Sequence, residues 1–330
     1  MKAHRWGFSA SICLGSVALI LAAMTSAFAQ EDPAKYPTRP IHIVVGFAAG
    51  GGNDIIARIF GQKLSEDLGQ PVIIENRPGG GAIVATEHVA KSAPDGYTLL
   101  VGASGMAINP ALYAKLPYDS VRDFVAVSEL ASFPLILIVN AASPIKSVAE
   151  LVAYAKANPD KTNYASSSAS FQLVTELFKQ KTGAPMQVIP YKSSTESVMA
   201  VIAGQVTMTI ADAGPVLSQL QGSHVRALAV ASSRRMEELR DVPTLKEAGA
   251  DVDGELWTGV FAPKDTPPAV IKKLEGEFIR IARLPEVIAR LKPLGVEPVG
   301  NSSEEFTRIL ASDIVRWGEV AKAGHIKIEQ

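Results

Sequence analysis

Two glycine- and serine-rich turns are the parts of this sequence best suited to chemistry on an anion. Residues 44–54 read VVGFAAGGGND: an apolar run, three glycines and two short polar residues. The run predicts a strand and the residues after it a helix. The first N–H groups of a helix lack intrahelical partners and lie at the positive end of its dipole. A carboxylate fits there without a counter-cation. The plainer reading is a tight turn capped by Asn53 or Asp54. If the loop does hold a ligand, Gly51 is a point of close backbone approach, and a β-branched residue there should abolish binding.

The second turn lies in YASSSASFQLVTELF, residues 164–178. Ser166, Ser167, Ser168 and Ser170 crowd a helix start, where hydroxyl and N–H groups can bind an anion. Ordinary capping needs only one of the four. Phe171 beside them contacts either the body of a ligand or the core. Asp212 ends the strand VTMTIAD, where it orients a ligand's polar end or caps the next turn. Trp257 packs a hinge or walls a cleft.

Other chemistries fit less well. A dinucleotide loop would need a third glycine where Ile55 stands, and Asp54 would set a carboxylate beside a pyrophosphate, although Glu75 ends the next strand where a ribose-binding acid belongs. No Gly-Lys-Ser/Thr follows the turn, so a phosphate-cradling P-loop is excluded. His42, His88, His224 and His325 are scattered without metal-ligand spacing. No G-x-S-x-G elbow occurs. The sequence therefore offers no catalytic residues, no metal site and no cofactor. His42, on the first strand, reads as a core or edge residue.

The elements that position these turns alternate strand and helix. Ile41 to Gly46 is nearly all apolar, as a buried parallel strand requires. Ile55, Ile56, Ile59, Phe60, Leu64 and Leu68 share one face of a helix over 53–68, which Gly69-Gln70-Pro71 ends. Strands follow at 72–75 and 97–103, with Gly79-Gly80-Gly81 opening a helix between them. The alternation restarts near residue 134, with capping boxes at Ser147/Glu150 and Ser302/Glu305. Two α/β lobes result. Chain crossings near 130–135 and 250–258 would return the C-terminal helices to the first lobe. The turns then meet at the carboxyl ends of the strands, in a cleft.

Residues 1–29 read as an export signal: Lys2 and Arg5, an apolar stretch from Ile12 to Ala23, and Ala27-Phe28-Ala29 as the cleavage site. Cleavage removes Cys13, so the mature chain would have no disulfide and no thiol chemistry. It also removes Lys2 and Arg5, leaving 30 basic against 33 acidic residues. That balance argues against a nucleic-acid partner.

In combination, YPTRPIHIVVGFAAGGGNDIIAR, VIIENRPGGG, APDGYTLLVG, VAELVAYAKANPDKTNYAS, VIPYK, AGQVTMTIAD, VRALAVASSRR, DVPTLKEAG and WTGVFAPKDTP resemble the Bug solute receptors of tripartite tricarboxylate transporters, over about residues 36–325. The resemblance implies a two-lobed, type II-like periplasmic binding protein. Each lobe would be a mainly parallel sheet flanked by helices. Lobe 1 would comprise 30–132 plus 258–330, and lobe 2 would comprise 133–257. It implies a non-catalytic monomer in the periplasm that closes on a small mono- or dicarboxylate. Its partner would be transporter membrane subunits or a sensor-kinase ectodomain. The ligand contacts carried over are Phe47, Ala48, Ala49, Gly50, Gly51, Gly52, Asn53, Asp54, Ser104, Gly105, Ser166, Ser167, Ser168, Ala169, Ser170, Phe171, Tyr191 and Asp212. The second-lobe turn departs from the family pattern, with serine and alanine for glycines and Gln172 near a usual histidine. Ser193 replaces the glycine that usually follows Pro-Tyr-Lys.

Overall fold

The computed structural model describes residues 35–328, so the expected leader and its cleavage site lie outside the described residues. Contacts divide the chain into Met1–Tyr36 and Pro37–Gln330, and the fold lies in the second unit. In chain order its strands are β1 (Ile41–Val45), β2 (Val72–Asn76), β3 (Thr98–Ala103), β4 (Phe124–Phe133), β5 (Leu135–Asn140), β6 (Asn163–Ser166), β7 (Gln187–Pro190), β8 (Met208–Asp212), β9 (Val225–Val230), β10 (Leu256–Pro263) and β11 (Glu297–Pro298). The helices are α1 (Gly52–Leu68), α2 (Ile83–Ala90), α3 (Gly105–Leu112), α4 (Val148–Ala157), α5 (Ala169–Thr182), α6 (Ser194–Ile202), α7 (Ala213–Gln221), α8 (Pro268–Ala282), α9 (Pro285–Leu291) and α10 (Ser303–Ala323).

Two sheets flanked by helices make a two-lobed α/β fold. The first has the order β11-β4-β10-β3-β1-β2 and the second β7-β6-β8-β5-β9. β1 lies between β3 and β2 and pairs with both in parallel. All of it but His42 is buried, which is why IHIVV is a near-continuous apolar run. His42 Nδ1 instead meets Glu75 Oε1 at 2.5 Å, on the half-exposed side of the sheet.

The sheets are mixed, where the resemblance implies mainly parallel ones. β10 runs antiparallel to both β3 and β4, and β5 antiparallel to both β8 and β9. The connection between sheets explains this. β4 and β5 are separated only by Pro134, so the chain passes from one sheet to the other almost without a loop. β10 brings it back beside β4. The two long strands β4 and β10 pair in the first sheet where the chain leaves it and comes back.

The C-terminal helices α8 and α10 pack on β4 of the first sheet. Phe306 and Trp317 of α10 are completely buried, each worth on the order of 3 kcal/mol of apolar burial. Gly259 in β10 is needed for this docking, since a Cβ there would collide with the Phe306 ring. Both predicted capping boxes form in their first half: Glu150 N–H donates to Ser147 Oγ at 3.2 Å and Glu305 N–H to Ser302 Oγ at 3.1 Å. Glu150 Oε2 then accepts from Lys146 N–H at 2.7 Å. The helix expected to open at Gly79 begins later. A 3₁₀ turn at Gly80–Ala82 precedes it, with Gly81 and Ala82 both at positive φ.

Candidate functional site

The loop after β1 is held by a carboxylate, not by a cation. Asp54, 2% exposed, accepts from Gly50 N–H at 2.8 Å and Arg58 Nε at 2.9 Å on one oxygen. Its other oxygen accepts from Asn76 Nδ2 at 2.9 Å. Burial pushes the Asp54 carboxyl up, but the hydrogen bonds from Arg58, Gly50 N–H and Asn76 outweigh it and hold it below the ordinary value. Asn76 Nδ2 also reaches the Phe47 carbonyl at 3.1 Å. Asp54 thus faces its own loop. Gly51, at the helix cap, supplies no side-chain oxygen, and the N–H groups of Gly52, Asn53 and Asp54 keep no intrahelical partner.

Three more strand ends repeat the arrangement. β3 runs into α3, β6 leads to α5 and β8 runs into α7. At α5, Ser168 Oγ accepts from Phe171 N–H at 3.4 Å, leaving the N–H groups of Ala169 and Ser170 free of the helix. At α7, Asp212 sits at the cap without a side-chain cap bond. Residues from all four helix starts line one cavity of about 420 Å³: Asn53, then Ser104 and Gly105, then Ser168, Ala169 and Ser170, then Asp212. Its walls carry Phe47, Phe133, Phe171, Leu256 and Trp257, and one side runs along α3 through Ile108, Leu112 and Tyr113 to Ile328. A volume of this order suits a small organic ligand.

The electrostatics favour an anion near the helix starts. Among the described residues that line the cavity there is no lysine or arginine, and Asp212 is the one acidic residue. Four helix N-termini supply the positive potential. Asn53 Oδ1 accepts from the Thr258 hydroxyl, so Nδ2 is the group Asn53 can offer a ligand. Burial pushes the Asp212 carboxyl up, against hydrogen bonds from Ser194 and its own backbone N–H. Trp257 is fixed from behind: its Nε1–H donates to Asp313 Oδ2 at 2.8 Å, and its ring meets Phe306 edge-on at 5.1 Å.

Of the carried-over contacts, Phe47, Asn53, Ser104, Gly105, Ser168, Ala169, Ser170, Phe171 and Asp212 line this cavity. Ala48, Ala49, Gly50, Gly51, Gly52, Asp54, Ser166, Ser167 and Tyr191 are not among its lining residues. Ser166 turns its hydroxyl inward, donating to the Ser168 carbonyl at 3.0 Å. Tyr191 donates its N–H to Ser166 O at 2.8 Å and its hydroxyl reaches Gln205 at 3.4 Å. The backbone demand for glycine falls on Gly50, at φ +82°, since Gly51 is extended at φ −75°. Sequence reasoning missed the α3 wall, Ile328 and the Asn76 clamp. Asn76 was within reach, as the residue ending the strand beside β1.

A two-lobed fold whose paired helix starts enclose a small cavity between two sheets defines a solute-binding receptor. The match is to the model of the TctC family, the tripartite tricarboxylate transporter family receptor, over residues 56–326, and the chain belongs to that family. Protein BugT of Bordetella pertussis (strain Tohama I) is 35% identical over 299 residues, covering 89% of this chain and 92% of that protein. Among solved structures, R. palustris Rpa4515 with adipate is 34% identical at a TM-score of 0.75, covering 89% of this chain and 100% of that one. MatC (Rpa3494) from Rhodopseudomonas palustris with bound malate is 31% identical at a TM-score of 0.69, covering 86% and 99%. Family members of known structure include periplasmic binding proteins. Among the described residues, no helix is long and apolar enough to cross a membrane.

Proposed function

We propose that the protein is a periplasmic receptor that captures a small organic mono- or dicarboxylate and delivers it to the membrane subunits of a tripartite transporter. The observation that carries this reading is the convergence of four helix N-termini on one cavity with no lysine or arginine among its described lining residues. Hydrogen bonds from N–H, hydroxyl and amide groups would neutralise a carboxylate there. The adipate and malate bound by the two relatives support the same class of ligand. The role is binding without catalysis, as a monomer after removal of residues 1–29. Residues 47–54, 104–105, 166–171, Tyr191 and Asp212 form or support the ligand's surroundings.

The lobes we assign are 30–132 plus 258–330, and 133–257. Closure would bury the ligand between them, and the closed form would be the one a membrane partner reads. Ion pairs already bridge the two sides: Arg234, after β9, meets Glu297 of β11, and Lys292 meets Glu237 at 3.1 Å. A sensor-kinase partner would use the same binding chemistry. Thermal-shift screening of the purified chain against organic acids, sugars and amines tests the reading, since ligand stabilises the folded state by mass action. Carboxylates should raise the melting temperature. A rise with sugars or amines alone would refute it.

A further inference from the structure

Resting on that receptor reading, we propose that the ligand is an amphipathic monocarboxylate, one carboxylate on an alkyl or aryl body, and that the cavity discriminates against di- and tricarboxylates. The helix α3 sets the axis of the argument. Ser104 and Gly105, at its positive end, line the cavity beside the other helix starts. Its eight residues rise about 12 Å. Ile108, Asn109, Leu112 and Tyr113 continue the cavity wall along that rise, with the Asn109 Nδ2 already donating to the Gly81 carbonyl and the Tyr118 hydroxyl. At the far end Tyr113 bridges to Ile328, whose N–H donates to the Leu112 carbonyl at 2.9 Å.

The two ends of the cavity therefore differ in kind. One has four helix N-termini and the hydroxyl and amide groups of Ser170 and Asn53. The other has Leu112, Ile328 and the Tyr113 ring, at the negative end of the α3 dipole. A second carboxylate reaching that end would find no lysine or arginine among the described lining residues and the wrong sign of dipole. Asp212, at the start of α7, belongs to the first end and not to this one. A methyl or ring in that place loses nothing on leaving water and gains contact with Leu112, Ile328 and Phe171.

Hexanoate and adipate form a matched pair, equal in chain length and differing only in whether the far end is a methyl or a second carboxylate. Isothermal titration of the ligand-free chain should give hexanoate an affinity at least about tenfold above that of adipate, with 3-phenylpropanoate on the hexanoate side. Adipate binding as tightly as hexanoate, or more tightly, overturns the inference and leaves the receptor reading standing. Binding by none of a broad set of carboxylates refutes that reading, and the inference with it. Ile328→Lys puts a cation at the far end, at a partly buried residue packed on the edge of the core. With circular dichroism unchanged, it should shift the hexanoate-to-adipate preference at least about tenfold toward adipate. An unchanged preference overturns the assignment of the ligand's far end to this place.

Discussion

Ser104 and Trp257, 153 residues apart, hold each other through three hydrogen bonds. Ser104 N–H donates to the Trp257 carbonyl at 3.0 Å, the Ser104 hydroxyl donates to the same oxygen at 3.3 Å, and Trp257 N–H donates to Ser104 Oγ at 2.7 Å. The pair welds the end of β3 to the start of β10, where the chain returns from the second sheet. Both residues line the cavity.

Ser104→Ala removes the acceptor of a buried Trp257 N–H. Leaving such a group unpaired costs about 1–3 kcal/mol, so thermal unfolding should move down by several degrees. Ligand affinity should fall as well, because Trp257 and the α3 start lose their common anchor. An unchanged melting temperature with unchanged affinity would show that a water replaces the hydroxyl without consequence.

Asp54 makes a pH-dependent contribution of known sign. Its folded carboxyl lies below the ordinary value, so the stability it adds is complete above its unfolded value of about 3.9 and is lost as pH falls through the lower folded value. Asp54→Asn places an NH₂ group against the Gly50 N–H and Arg58 donors. It should cost about 2 kcal/mol at neutral pH, with the deficit narrowing only below about pH 4. Denaturant midpoints across pH measure this. A deficit that persists unchanged at pH 2 would mean the loss is steric.

Gly50 and Gly51 separate loop strain from ligand access. Gly50, at φ +82°, has nothing within 4 Å of an added Cβ, so its substitution strains only the backbone. Gly51 is extended, and its Cβ would meet the Ala48 carbonyl at 3.3 Å. Gly50→Val should destabilise the loop by about 1–2 kcal/mol. Gly51→Val should cost less stability than Gly50→Val, the Ala48 carbonyl having to give by a few tenths of an ångström, and should weaken binding. Retained affinity in Gly51→Val would show that the loop's glycines serve the turn alone.

Much of this fold was legible because the local pattern and the tertiary role agree. Ile41–Val45 is apolar in every position but one, and 53–68 repeats its apolar residues at helical spacing. β4 escaped because Ser128, Glu129 and Ser132 interrupt FVAVSELASF. Their partners are distant: Asn301 Oδ1 accepts from Glu129 N–H at 2.9 Å, and Ser128 Oγ donates to the Asn301 carbonyl at 2.8 Å. No window along the sequence contains both sides of that contact. The helix α3 escaped because Gly105 and Pro110 stand within eight residues, and with it went Ile108, Leu112 and Tyr113. The polar half of the candidate site was visible through its turns and the resemblance. The apolar half depends on which face α3 and Ile328 present, and that is set by packing.

Glu129 should make the protein less stable as pH rises through neutrality. Burial first, then the charges of Glu255, Asp313 and Glu305 across the neighbouring pocket, push its carboxyl up to about 8, against the hydrogen bond from Asn301 Nδ2 at 3.1 Å. The folded state therefore holds a proton that the unfolded chain releases near pH 4.5. Stability falls between those values, by roughly 1.4 kcal/mol per pH unit for one such group. Glu129→Gln keeps an acceptor for Asn301 and removes the titration. It should raise stability at pH 8 and flatten the slope between pH 5 and 8. A slope as steep as that of the unaltered protein would assign the proton to Glu255 or Asp313, which are raised for the same reason.

Asp212 should oppose the anion it helps to enclose. Among the described lining residues it is the one acidic group, with no lysine or arginine, and burial already raises its carboxyl. A bound carboxylate makes ionisation of Asp212 less favourable still, so affinity should decline as pH rises through the Asp212 value. Ordinary carboxylate ligands are ionised well above their own value of about 4, so a decline in affinity at higher pH reports the protein's side of this coupling. Asp212→Asn removes the repulsion while keeping an amide at the start of α7. It should strengthen carboxylate binding at pH 8 and abolish the decline. Weaker binding in the variant would give Asp212 the opposite role, accepting a hydrogen bond from a hydroxyl or amino group on the ligand.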